Sequence, residues 1–417
     1  MKTAIYWFRN DLRLEDNPAF LQACNDADYI LPIYIHQIYF KQETSWGFSR
    51  VSEHRQLFLE QSLHDLRAQL RNKGSDLFEF TGNGLDVFEK LRAQHTVDLI
   101  YCEQIEAPEE LAQVALLKGA GFQVKTVWQS SMLGPQSLPF PLQDMPDVFT
   151  QFRQQVEKHK LRFAKPLGAP QKIPPLPALA ISSIEQDTAH HQTPDCNFQG
   201  GEQSASAHIQ QYFERRLPDT YKQTRNQLIG MDYSSKFSPW LALGCCSART
   251  IAMHLSGYEL AYGANEGTYW LWFELLWRDY FRFLHFKFGK KLYYSRGLSA
   301  NPGNQFDWKQ FLRWSSGNTG VQLIDAGMRE LQQTGYLSNR MRQIVASYWI
   351  YDMKGDWRAG AAWFESQLID YDVYSNQGNW LYIAGKGTDP RGGRPFNVSK
   401  QTQDHDPNGA YRQMWLD

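Results

Sequence analysis

The hydrophobic period changes once along the chain, and this change limits the fold more than any single motif does. Up to about residue 130, short β-rich runs ("AIYWFR", "YILPIYIH", "DLFEF", "DLIYCE", "QVKTVW") alternate with stretches of helical spacing such as "RQLFLEQSLHDLRAQL" and "PEELAQVALLKGAG". Strands that alternate with helices predict a parallel, Rossmann-like sheet covered on both faces. From 131 to 205 the periodicity fades into the Pro-rich "AKPLGAPQKIPPLPALA" and the polar "TPDCNFQGGEQSASA", which predict a long surface connector. After 206 the pattern is helical, most clearly in "TYWLWFELLWRDYFRFLHFKFG", "TGVQLIDAGMRELQQTG" and "SNRMRQIVASYWIYDM". The expected organisation is an α/β domain over 1–130, a connector over 131–205 and a larger all-α domain over 206–417.

Composition follows the same division. Only Trp7, Trp46 and Trp128 precede residue 206, and the other 11 of the 14 Trp follow it. That skew suits a domain that stacks flat rings, although large aromatics also serve simply as core. The net charge of −1 hides a difference between +5 from residue 206 onward and −6 before it. A basic groove in the second part is permitted but not required. The five cysteines, Cys24, Cys102, Cys196, Cys245 and Cys246, have no metal-ligand spacing and no plausible disulfide framework. They read as reduced core thiols, so a cytoplasmic location is expected. The N-terminus reaches Arg9 and Asp11 too soon for a signal peptide, and no apolar run is long enough to span a membrane.

Chemistry-bearing residues concentrate in three stretches. "YKQTRNQLIGMDYSSKFSPWLALG" (221–244) places Ser234, Ser235, Lys236 and Ser238 just before a helical run, a donor set suited to phosphate; a plain cap and turn would look the same. "ELLWRDYFRF" brings Glu274, Trp277, Arg278 and Phe281 onto overlapping helix faces, where a carboxylate beside an indole suits a nucleobase. A half-buried helix with a salt bridge is the alternative. "WFESQLIDYDVYSNQGNWLYIAG" (363–385) holds Asp370, Asp372 and Asn376 among apolar residues, and buried acids need compensation. Arg340 and Arg342, in the first turns of a helix capped by Ser338, are unfavourably placed unless Asp370, Asp372 or a phosphate lies opposite; solvated surface arginines are the alternative. The sequence has no G-x-G-x-x-G, no Walker A motif, no Ser/His/Asp order and no metal-binding His spacing. No metal site is expected, and redox or photochemistry around a bound ring is favoured over hydrolysis.

Those stretches, together with "YWFRNDLRLEDNPAF", "TGVQLIDAGMRELQQTGYLSNRMRQIVAS" and "GTDPRGGRPFNVSKQTQDHDPNGAY", resemble the photolyase/cryptochrome family nearly end to end, and within it the DASH cryptochromes. The resemblance implies an α/β antenna domain and a helical domain binding folded FAD. It places Tyr221, Ser234, Ser235, Lys236, Phe237 and Ser238 against the flavin phosphates, with Asn339, Arg342, Asp370 and Asp372 around the flavin. Arg342 and Asp370 resemble the family's ion pair beside the flavin ring, and Asn376 sits where an amide faces flavin N5. Trp380 and Trp357 match the inner two members of the chain that carries electrons to photoexcited flavin. The outer position reads Asn304, with Trp308 and Trp314 nearby.

The implied reaction is blue-light repair of cyclobutane pyrimidine dimers by an electron from photoexcited reduced FAD, with extrusion of the lesion from the duplex. Glu274 resembles the carboxylate that hydrogen-bonds the dimer, Trp277 its stacking wall, and Asn339 and Arg340 further pocket residues. Gln343 and Tyr382 stand where double-strand photolyases have Met and Trp. They suggest a more polar pocket and a preference for single-stranded DNA. "EQIEAPEE" resembles a folate-binding stretch, so a 5,10-methenyltetrahydrofolate antenna meeting Glu109 is expected. A monomer is expected. The alternative is a blue-light photoreceptor or DNA-binding regulator; the chain ends at Asp417 soon after the last matching stretch, without the long tail many signalling cryptochromes carry.

Overall fold

The computed structural model describes residues 1–38, 42–94, 97–178 and 198–417. Five parallel strands, β1 (Thr3–Phe8), β2 (Tyr29–Gln37), β3 (Phe78–Gly82), β4 (Leu99–Glu103) and β5 (Val124–Val127), form one sheet in the order β3-β2-β1-β4-β5. Ile5 pairs with Leu31 on one side and Ile100 on the other. Between the strands run α1 (Pro18–Asp26), α2 (Glu53–Asn72), α3 (Gly84–Gln94) and α4 (Pro108–Gly119). Local chemistry sets their starts: Asn17 accepts from Phe20 N–H with Pro18 in the first turn of α1, and Ser52 accepts from Arg55 N–H to open α2.

Alternation along the strands divides the core. Ile5, Trp7, Ile33, Ile100 and Cys102 face Phe88 and Leu91 of α3 and Leu117 of α4. Tyr6, Phe8, Tyr34 and Tyr101 face the other way, into a core continuous with that of the helical part. Burial on both faces is what a parallel sheet requires.

The connector is more integrated than its composition suggested. Residues Phe149–Lys158 form a helix that buries Phe149, Phe152 and Val156. Three apolar anchors among ten residues are too few to reveal a period. Met132 and Leu133 donate their N–H groups to the Asp279 carboxylate at 2.8 Å each. Lys287 Nζ reaches Asp147 Oδ1 and Met145 O at 2.6 Å. Cys196, with the rest of 179–197, lies outside the described residues, whereas Cys24, Cys102, Cys245 and Cys246 are buried free thiols.

The helical part begins at Glu202, and its longest member, Glu266–Phe288, opens with an Asn265/Thr268 capping box. The stretch expected to be one helix over 338–353 divides instead: an α-helix over Asn339–Ser347 widens into a π turn over Tyr348–Asp352. At the junction with the sheet, Gly244 has φ +67°, and a Cβ there would stand 2.0 Å from Asn10 O. Leu12 N–H donates to Leu243 O alongside it (3.1 Å), so the close approach is itself a binding contact. Among the described residues no helix is long and apolar enough to cross a membrane.

Candidate functional site

A cavity of about 390 Å³ opens among the helices, within the range of small-molecule sites. A narrower recess of about 70 Å³ continues from it. Tyr221, Ser234, Ser235, Lys236, Phe237 and Ser238 form one wall of the larger space. Glu274, Trp277 and Tyr382 line it from another side, and Asn339, Arg340, Arg342, Gln343, Asp370 and Asp372 from a third. Asn376 and Trp380 line the recess. Residues from six separate helices and loops, distributed over more than 150 positions, thus meet at one place.

The buried acids are compensated by different partners. Asp370 Oδ2 accepts from Arg342 Nη2 at 2.7 Å, and Arg342 Nε also donates to Leu337 O at 2.9 Å. Asp372 pairs with Arg282 on the long helix rather than with Arg340 or Arg342. Burial opposes its ionisation, yet Arg282 and Arg278 bring its pKa down to about 2. Asp372 also caps Val373–Ile383, accepting from Ser375 N–H at 2.8 Å. Arg340 forms no ion pair among the described residues; its Nη2 donates to Asn226 Oδ1 at 3.1 Å.

The 234–238 loop differs from the expected helix-start phosphate site. Ser234 and Lys236 have φ of +60° and +56°, costly for residues with a Cβ. The following helix, Ser238–Leu243, is only six residues long and has no side-chain cap. Its macrodipole is weak, so hydroxyls and Lys236 supply the donors. Burial lowers the Lys236 pKa to about 7, and its ammonium sits 3.2 Å from the Tyr233 ring centroid.

Arg225, also on the cavity, forms an ion pair with Glu274 and covers Trp270 at 4.1 Å. Burial raises the Glu274 pKa against the pull of Arg225. Phe149 stacks on Trp277 at 3.7 Å and 13°, and Tyr382 meets the same indole edge-on at 5.5 Å. The Tyr382 hydroxyl accepts from Arg394 Nη2 at 2.7 Å. The missed connector helix therefore fixes the plane of a pocket indole.

Trp357 and Glu109 lie elsewhere, on a second cavity of about 370 Å³ between the C-terminal edge of the sheet and the helices. Glu109 accepts from Arg50 Nη2 at 2.7 Å, and Arg50 Nε donates to Glu365 at 2.8 Å. Asn376 and Tyr371 line both this cavity and the recess, so the two spaces share a wall. Asn376 Nδ2 donates to Ala361 O at 3.0 Å. Sequence reasoning missed Arg225, Ser375 and Asn379 in the larger cavity. The last two continue a polar stripe with Asp372 and Asn376 at helical spacing, a signal present in the quoted run.

Two family models match: DNA photolyase over residues 4–177, and the FAD binding domain of DNA photolyase over 270–417. The cryptochrome DASH of Gloeobacter violaceus is 42% identical over 429 residues, covering 100% of this chain and 85% of that protein. The chain belongs to the photolyase/cryptochrome family, in its cryptochrome DASH group. The crystal structure of a Synechocystis sp. cryptochrome superposes with a TM-score of 0.94 at 41% identity, covering 100% of this chain and 89% of the other. An archaeal photolyase from Sulfolobus tokodaii, solved with two FAD molecules, gives 0.80 at 27% identity and covers 100% and 90%.

Membership makes FAD the group to test against the larger cavity, and the residues fit it. Asp370 Oδ1 is buried with no hydrogen-bond partner among the described residues, although its other oxygen holds Arg342. Such an acceptor on a cavity wall is suited to a ligand N–H or hydroxyl. In the same cavity the buried cation Lys236 and three serines, Ser234, Ser235 and Ser238, match a diphosphate.

Proposed function

We propose that this chain is a blue-light-driven lyase that splits cyclobutane pyrimidine dimers, preferentially in single-stranded DNA. The observation that carries this reading is the sharing of one cavity by two sets of groups. One is the Arg342–Asp370 pair with its unpartnered carboxylate oxygen; the other is Glu274, Trp277, Gln343 and Tyr382. FAD, when bound and reduced, supplies the light-excited electron.

The chain's own residues bind and orient. Ser234, Ser235, Ser238 and Lys236 would hold the diphosphate, Asn339, Arg342, Asp370 and Asp372 the remaining polar atoms, and Asn376 would offer the flavin an uncharged amide from the recess. Trp277, held flat by Phe149, gives the extruded bases an apolar wall. Glu274, ion-paired with Arg225, can accept from a base N–H. Gln343 and Tyr382 replace apolar or larger groups, so the pocket grips a flipped dimer less tightly. A lesion that need not be unpaired is then favoured.

The second cavity fits a methenyltetrahydrofolate antenna, with Glu109 and Glu365 as acceptors and Trp46, Tyr293 and Tyr371 as ring-stacking walls. The four buried free thiols agree with a reducing, cytoplasmic setting and with a monomer that needs no cross-link.

The decisive test is repair of a thymine dimer in a single-stranded oligonucleotide by photoreduced protein under blue light, with a dark control and a duplex comparison. Light-dependent loss of the dimer, faster in the single strand, is expected. Bound, reducible FAD and bound oligonucleotide without repair would overturn the lyase reading in favour of a photoreceptor.

A further inference from the structure

The position expected to carry the outermost tryptophan is occupied by Asn304, and this side chain is committed to the backbone. Its Nδ2 donates to Ile350 O at 2.9 Å and to Gly355 O at 3.2 Å. An amide does not give up an electron to an oxidised indole, so the expected position supplies no ring to follow Trp357.

Trp380 has other aromatic neighbours. Trp314 lies 6.2 Å away, edge to face, and Trp349 stacks on Trp314 at 5.2 Å and 28°. Glycine makes this density possible. A Cβ on Gly360 would fall 2.2 Å from Trp380 Cη2 and 3.0 Å from Trp349 Cδ1, so both indoles converge on the same bare patch of backbone. A Cβ on Gly355 would fall 2.0 Å from Trp349 Cε2.

Both inner indoles are fully buried and donate N–H to carbonyls, Trp314 to Val345 O (3.0 Å) and Trp349 to Asp356 O (2.8 Å). Carbonyl dipoles stabilise an indole cation without offering a base strong enough to remove its proton, which keeps the positive charge mobile. Toward the surface, Phe311 touches Trp314 (6.0 Å) and Trp349 (5.7 Å) and stacks on Trp308 at 5.6 Å and 20°. Trp308 is 42% exposed.

We propose that Trp314 and Trp349 stand in for the missing outer ring and connect Trp380 to solvent at Trp308, and that bound flavin is photoreduced along this line. The inference rests on the flavin reading above. Trp380 would give one electron to a bound, photoexcited oxidised flavin; the vacancy would pass to the Trp314–Trp349 pair and then, across Phe311, to Trp308. Phe311 is packed medium and is not itself oxidised, because a benzene ring loses an electron less readily than an indole. The exposed Trp308 cation releases its N–H proton to water. The neutral radical recovers a hydrogen atom from a soluble thiol, and two thiyl radicals couple to a disulfide. Each electron placed on flavin thus consumes one thiol and leaves one proton in solution.

The test uses full-length, flavin-loaded protein as Trp308→Phe, Trp308→Tyr, Trp314→Phe and Trp357→Phe, illuminated with dithiothreitol. Two signals are followed: loss of oxidised-flavin absorbance, and the long-lived neutral indole radical by electron paramagnetic resonance. Dithionite reduction of each variant checks that the pocket is intact. Trp308→Phe and Trp314→Phe are expected to photoreduce about tenfold slower or worse. Trp308→Phe should also lose the indole radical, and Trp308→Tyr should retain part of the rate. Flavin-loaded Trp308→Phe that photoreduces at the native rate, with Trp357→Phe alone impaired, would overturn this inference and leave the flavin reading standing. A native chain that purifies without flavin and takes none up would overturn both.

Discussion

Asp372→Asn asks whether the helix Val373–Ile383 is anchored by charge or by shape. The substitution keeps a side-chain oxygen for the cap on Ser375 N–H, and Asn caps about as well as Asp. What it removes is the counter-charge of Arg282, which is only 2% exposed. Asp372 has its pKa held at about 2, against an ordinary 3.8. A depression of nearly two units corresponds to about 2.5 kcal/mol of folding free energy. Because the folded-state pKa is the lower one, this stabilisation is complete above the unfolded-state value near 4 and is lost as pH falls towards 2. Removing the carboxylate costs more, about 3–5 kcal/mol, since buried Arg282 then loses its ion-pair partner. With an unfolding entropy of about 2.1 cal/mol/K per residue, 1 kcal/mol is worth roughly 1 °C in a chain of this length. The Tm of the flavin-free chain should therefore fall by about 3–6 °C at pH 7. Circular dichroism melts of both proteins between pH 7 and pH 2 provide the assay, and the gap should narrow below pH 4. Arg282→Met combined with Asp372→Asn should recover much of the loss, since neither charge then stands alone. An unchanged Tm at pH 7, or a gap constant down to pH 2, would refute the charge argument.

Four further outcomes are expected. Glu274→Gln should weaken binding of a dimer-containing oligonucleotide about tenfold, the equivalent of one charge-assisted hydrogen bond, while leaving the undamaged strand unaffected in fluorescence anisotropy. Lys236, with a pKa of about 7 in the flavin-free chain, is cationic below that value and neutral above it. FAD affinity should thus fall about tenfold between pH 6 and pH 8, and Lys236→Met should flatten that profile in a flavin-fluorescence titration. Gly244→Ala combines a positive φ with a Cβ 2.0 Å from Asn10 O, and should destabilise by about 2 kcal/mol or more, read as a lower denaturation midpoint. Glu109→Gln should abolish folate absorbance in a reconstituted chain while flavin content stays the same.

The fold was legible where a signal is local. Each of the five strands overlaps a run whose composition marked it, because Val, Ile and aromatic residues bounded by turns leave few alternatives; β4 and β5 lie within their runs, and β1, β2 and β3 extend one or two residues past theirs. The order β3-β2-β1-β4-β5 was not legible, since pairing is decided between elements rather than within them. The helix Phe149–Lys158 escaped notice because its anchors acquire meaning only against Trp277 and Tyr280, more than a hundred residues away. The site divides the same way. Acids set in an apolar run announced themselves, but not which arginine compensates which acid. Asp370 takes Arg342, 28 residues distant, and Asp372 takes Arg282, 90 residues distant.

The helix Val373–Ile383 explains why that second pairing matters beyond stability. Its first residues present Asp372 and Ser375 to the larger cavity. Asn376 lies one step further round, on the wall shared by the two cavities. Trp380, one turn beyond Asn376, faces Trp314 and Gly360. Gly378, on the side toward the long helix, leaves room for Phe281, whose Cδ1 would be 2.1 Å from a Cβ there. Binding residues, the amide and the indole therefore share one rigid rotation about the helix axis, about 100° per residue. The Arg282–Asp372 ion pair fixes the start of that helix, and Phe281 against Gly378 fixes its middle. A change that releases either contact turns all three functional faces together, so Asp372→Asn should slow flavin photoreduction as well as lower the Tm. A change confined to Asn376 should leave the Trp380 surroundings as they are.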